Sequence, residues 1–114
     1  MDERFKALGD NNRLRILHLL MHRELCVCEI EEILGTTQSN ASRHLTKLKQ
    51  AGIIVSNKKA QWVYYKVHPE FITIHSLLYQ YIREKQETET PYREDLKTLQ
   101  LFNEKQESCK TLAK

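Results

Sequence analysis

Cys26 and Cys28 stand one residue apart in the stretch ELCVCEI, residues 24–30. Thiolates are soft donors, and a close pair of them suits a thiophilic ion. Free cysteines are also small apolar residues that fill cores, so spacing alone leaves sensing and packing both open. The third cysteine, Cys109, lies in the polar segment EKQESCKTLAK, beside Lys105 and Lys110, which favour its thiolate. It is the candidate third sulfur for a three-coordinate site, against the simpler expectation of an uninvolved thiol on a mobile tail. A second group of reactive side chains follows the pair. Gln38, Ser39, Asn40, Ser42, Arg43, His44 and Lys47 form one cluster, and Lys58 and Lys59 another. Amides and guanidinium groups make two-point contacts with base edges, while Ser and Lys suit phosphates. The chemistry on offer is soft-ion capture next to nucleic-acid reading.

These groups need elements to hold them. Leu14, Leu17 and Leu20, with Ile16 and Leu19 alongside, predict a helix over residues 13–21 that begins near Asp10 and Asn11 as caps. Val27, Ile30 and Leu34 predict a second helix over 26–34, stopped at Gly35. Thr37 then caps a third, with Ala41, Leu45 and Leu48 as its apolar stripe and Gly52 as its end. Two helices around a tight turn form a helix-turn-helix pattern, with the polar cluster on the outer side of the second. Ile53–Ser56 and Trp62–Val67 are rich in β-branched and aromatic residues and predict a hairpin of undetermined loop length, with Lys58 and Lys59 at its tip. Pro69 opens a helix whose broad apolar face holds Phe71, Ile74, Leu77, Leu78, Tyr81 and Ile82. A polar stretch, residues 84–91, precedes a last helix expected from Tyr92 to about Glu107, with Leu96, Leu99 and Phe102 on one side. The fold class expected is mainly α with a small β-hairpin wing. The expected division is a winged helix-turn-helix unit, residues 1–87, and a helical extension with a mobile tail, residues 88–114.

Bulk properties narrow the function. The 114 residues suit one domain, and 40% hydrophobic with 29% charged residues suits a folded protein with a wet exterior. The net charge of +3 hides an asymmetry. Between Thr37 and Pro69 stand Arg43, Lys47, Lys49, Lys58, Lys59 and Lys66, with no Asp or Glu. Glu24, Glu29, Glu31 and Glu32 lie just upstream with no base among them. An acid-free basic window is the footprint of a phosphate-binding surface. No apolar run is long enough to span a bilayer, and MDERFKALGD lacks the apolar core of a secretion signal. A cytoplasmic protein with free thiols and no membrane partner is expected. An enzyme is not expected. A phosphatase-like thiol enzyme needs a Cys-x5-Arg loop, and the residues six past Cys26 and Cys28 are Glu32 and Leu34. His18, His22, His68 and His75 fit no motif, so packing or surface roles are expected for them.

The blocks ALGDNNRLRILHLL, ELCVCEI, TQSNASRHLTKLKQAGIIV and VYYKV, in that order, resemble the ArsR/SmtB family of winged-helix metalloregulatory repressors. The resemblance covers about residues 4–83. It implies a homodimer, joined through the first helix and the helix from Pro69, that binds an inverted-repeat operator in double-stranded DNA and releases it when an inducer binds. ELCVCEI resembles the ELCVCDL box of the family's arsenic- and antimony-responsive members, which implies As(III) or Sb(III) as inducer at Cys26 and Cys28 and no constitutive cofactor. On an ideal helix the two sulfurs would point about 200° apart, so capture of one ion should unwind the helix start and disturb the reading helix behind it. In the best-known arsenic box a third cysteine follows the pair by three residues, where this sequence has Glu31. Cys109, a small cellular thiol, or an inducer already carrying a substituent (a trivalent organoarsenical) would complete the shell. The cadmium- and lead-sensing relatives draw further cysteines from a long N-terminal arm, and residues 1–25 hold none. Zinc-type sensing would need paired His and acid positions that His75 and Glu84 do not reproduce. A repressor that responds to thiol oxidation or reactive sulfur is the other alternative, although a disulfide between residues i and i+2 is geometrically poor.

Overall fold

A computed structural model describes residues 3–104. The chain runs α1 (Glu3–Leu8), α2 (Asn11–His22), β1 (Leu25–Cys26), α3 (Val27–Leu34), α4 (Gln38–Gln50), β2 (Ile54–Lys59), β3 (Trp62–Val67), α5 (Pro69–Ile74), α6 (Ser76–Thr88) and α7 (Thr90–Glu104).

The first helices end where local chemistry stops them. The Asp10 carboxylate accepts from the backbone N–H groups of Asn12 and Arg13, at 2.8 and 3.1 Å, and starts α2. Gly35 sits at φ 65°, a left-handed conformation that closes α3, and its N–H donates to the Glu31 carbonyl at 2.8 Å. Thr37 Oγ1 accepts from the Asn40 N–H at 3.2 Å and starts α4. Ala41, Leu45 and Leu48 are fully buried against Ile16, Leu17, Leu19 and Ile30, which makes the turn between α3 and α4 one wall of the core.

The hairpin is longer than its sequence suggests. β2 continues through Asn57, Lys58 and Lys59, and Lys59 pairs with Trp62, so only Ala60 and Gln61 form the turn. A two-residue turn requires positive φ, and Ala60 takes φ 57° where glycine is the usual choice. A third strand joins the hairpin. Leu25 pairs with Tyr65 and Cys26 with Tyr64, giving the antiparallel order β1-β3-β2.

The helix expected from Pro69 through Ile82 is two helices. His75, at φ −111° and ψ 41°, separates α5 from α6. The run Ile72-Thr73-Ile74 before the break is β-branched and a poor helix former. Phe71 and Ile82 are buried in the core, while Ile74, Leu77 and Tyr81 face outward. The polar stretch after residue 84 continues α6 to Thr88, and Pro91 fits the first turn of α7. α7 packs against α2, α3 and α6, burying Leu99 and Phe102.

Candidate nucleic-acid interface and cysteine box

The outer face of α4 carries Gln38, Ser39, Asn40, Arg43 and Lys47 exposed and Ser42 half-buried. The Arg43 guanidinium reaches the Asn40 side-chain oxygen at 3.4 Å, one turn earlier, so a guanidinium and an amide lie together on this face. His44 does not belong with them. It follows Ala41 by three residues and precedes Leu48 by four, on the inward side of the helix, and is only 5% exposed. Its Nδ1 lies 3.4 Å from Arg13 Nη1, and burial first, then Arg43 and Arg13, hold its pKa below the ordinary histidine value against the pull of Asp10. A buried neutral imidazole cannot contact DNA, so His44 is removed from the expected reading set. Lys58 and Lys59 are exposed at the wing tip. Lys59 also forms an ion pair with Glu24 at 2.8 Å and lies 5.3 Å above the Tyr64 ring, which ties the wing to the residue that opens the cysteine box.

The box does not lie on one helix. Cys26 is extended, at φ −95° and ψ 171°, ends β1, and is the N-cap of α3; Cys28 falls in the first helical turn. The geometry expected for a pair on a continuous helix therefore does not apply, and the two cysteines straddle a strand-to-helix joint. Cys26 is 2% exposed and Cys28 half-buried. Cys28 is a free thiol, whereas Cys26 is disulfide-bonded. Burial, followed by the negative charge of Glu31 and Glu29, pushes the Cys28 pKa up and disfavours its thiolate. Cys109 lies outside the described residues.

The sequence reading missed Glu29. It is fully buried; one carboxylate oxygen accepts from the Cys26 N–H at 2.9 Å and the other from Arg23 at 3.1 Å. Arg23 also donates to the Glu24 carbonyl and to the Asn103 side chain on α7. A hydrogen-bonded chain thus runs from α7 through Arg23 and Glu29 to the backbone of Cys26. The legible signal was the spacing of a capping box, Glu three residues after the cap, hidden by Cys in the place of Ser or Thr. Among the described residues no three His, Cys, Asp or Glu side chains gather as a metal shell, and no helix is long and apolar enough to cross a membrane.

Comparison with known proteins places this arrangement. The family model described as "Bacterial regulatory protein, arsR family" matches residues 10–56. The arsenic resistance transcriptional regulator ArsR1 of Pseudomonas putida is 48% identical over 67 residues, 58% of this chain and 52% of that protein. The cadmium resistance regulatory protein CadC of Listeria innocua is 47% identical over 62 residues, 54% of this chain and 52% of that protein. The chain thus matches about half the length of each of these relatives. The solved homodimeric winged helix-turn-helix domain of Mb0332 from Mycobacterium bovis superposes with a TM-score of 0.63 at 29% identity, covering 73% of this chain and 77% of that one.

Proposed function

The chain belongs to the arsR family of bacterial regulatory proteins, and from that membership we propose a homodimeric repressor that binds operator DNA and releases it when trivalent arsenic or antimony is captured by Cys26 and Cys28. The observation that carries the reading is the joint occupied by the cysteine box. β1 is paired to the wing strand β3, and α3 leads through Gly35 into α4. Arsenic(III) and antimony(III) favour pyramidal coordination by soft sulfur, and drawing two sulfurs onto one centre must shift the backbone on one side of the joint. Either shift reaches a DNA-contacting element, the wing or the reading helix, and gives two states with different operator affinity. Capture requires Cys26 as a thiol, so the responsive form is the reduced protein. An inverted-repeat operator follows from two copies of α4 related by a two-fold axis. The dimer is supported by the outward apolar face of α1, α5 and α6, where Phe5, Ile74, Leu77 and Tyr81 are 54%, 67%, 82% and 59% exposed.

A second reading is a repressor that responds to thiol oxidation or reactive sulfur at these cysteines. Fluorescence anisotropy of labelled operator separates the two. Reduced protein is titrated with arsenite, methylarsenite, antimonite and cadmium, and separately with peroxide and polysulfide. Release by arsenite that is lost in Cys26→Ser and in Cys28→Ser supports the arsenic reading, whereas release only by the oxidants overturns it.

A further inference from the structure

We propose that His18 and His22 form a binding site for a borderline divalent cation of the zinc or cobalt class, in the cleft between α2, α6 and α7. The two histidines are four residues apart on α2 and share one face, the spacing that lets a helix present two imidazoles to one metal ion. Their Nε2 atoms are 3.3 Å apart. With metal–nitrogen bonds of ~2.0–2.1 Å and a tetrahedral angle, two bound nitrogens stand about 3.3–3.4 Å apart. The same separation is long for a hydrogen bond between two ring nitrogens. The rings therefore already hold the bite of a chelating pair.

The surroundings favour neutral, fixed imidazoles. His18 is 5% exposed and packs edge-on against Tyr92, with ring centroids 5.5 Å apart, so its ring is held in place. Burial and then the neighbouring His22 push its pKa down to about 4, and burial and Arg83 lower that of His22. Both rings are unprotonated near neutral pH and need not release a proton to bind a cation. With Nε2 bound, the ring proton of His18 moves to Nδ1, a buried atom with no hydrogen-bond partner, in the field of the Asp95 carboxylate. The cleft has a volume of about 430 Å³ and a single carboxylate among its lining residues, on the exposed Glu87. Among the described residues no third His, Cys, Asp or Glu joins the two imidazoles, so water or an anion supplies the remaining ligands. Arg83, Arg93 and Lys97 also line the cleft and weaken the hold on a bare cation, while favouring an anion as the last ligand. This site shares no ligand with the cysteine box.

The test uses the full chain with Cys26, Cys28 and Cys109 replaced by Ser, so that no thiol competes, and with far-ultraviolet circular dichroism and a cooperative urea transition as the check of its fold. Zinc(II) is titrated by calorimetry, and cobalt(II) is followed by paramagnetic broadening of the histidine ring resonances. The expected result is one zinc equivalent per chain, broadening confined to His18 and His22, and affinity about tenfold weaker in His22→Ala. His22 is exposed, so its replacement leaves the core intact. Absence of binding at millimolar zinc, unchanged affinity in His22→Ala, or broadening centred on His68 or His75 would each overturn the proposal.

Discussion

Arg15 and Asp95, eighty residues apart in the chain, meet in a two-point ion pair, Nε to Oδ2 and Nη2 to Oδ1, both at 2.8 Å. The aspartate side chain is 5% exposed and the arginine 32%. This pair docks α7 onto α2, and the hydrogen bond to Asp95 raises the arginine pKa further. Removing one partner of a buried pair strands a charge. Arg15→Leu is expected to lower unfolding free energy by about 3 kcal/mol, and adding Asp95→Leu to restore much of it. Urea denaturation of the two single variants and the double variant checks this; additive losses would show that the pair is not coupled.

Acid should loosen the protein through His18. Its folded pKa of about 4 lies below the ordinary 6.5, so the unfolded chain takes up a proton first as pH falls. Stability from this group is complete above the unfolded value and declines as pH drops toward the folded one. The expected loss between pH 7.5 and 5 is about 2 kcal/mol, with His22 acting in the same direction. Urea midpoints at the two pH values measure it, and His18→Leu should flatten the difference.

Cys28 should react slowly with thiol reagents near neutral pH, because burial and the Glu31 and Glu29 charges oppose its ionisation. In a chain carrying Cys26→Ser and Cys109→Ser, Glu31→Gln is expected to raise the rate of iodoacetamide modification about threefold at pH 7. Mass spectrometry over a time course follows the reaction, and an unchanged rate would remove Glu31 as an influence on this thiol.

DNA contacts should divide by role. Arg43→Ala is expected to cost about 1–3 kcal/mol of operator affinity and relax sequence preference, whereas Lys58→Ala should weaken all sequences alike and reduce the salt slope by about one. His44→Gln should change stability more than specificity, since that side chain is buried beside Arg13. Anisotropy titrations across a salt series and against a scrambled operator distinguish these outcomes.

The sequence by itself determined the elements whose signals are local. Asp10, Gly35 and Thr37 bound α2, α3 and α4 because a cap or a left-handed turn acts within a few residues. The stripe Ala41, Leu45 and Leu48 and the β-branched runs of the hairpin carry their periods in plain view. The outward chemistry of α4 was legible as far as Arg43 and Lys47, since residues opposite a clear apolar stripe face water. Tertiary structure decided whatever depends on a distant partner. A two-residue strand such as β1 has no period, so only its pairing with Tyr64 and Tyr65 separates Cys26 from the helix that holds Cys28. His44 is inward because α2 stands over it. α7 takes its position from Arg15, and the cap of the cysteine box is braced by Arg23 and Asn103, because a buried charge must find its counter-charge wherever the fold brings one.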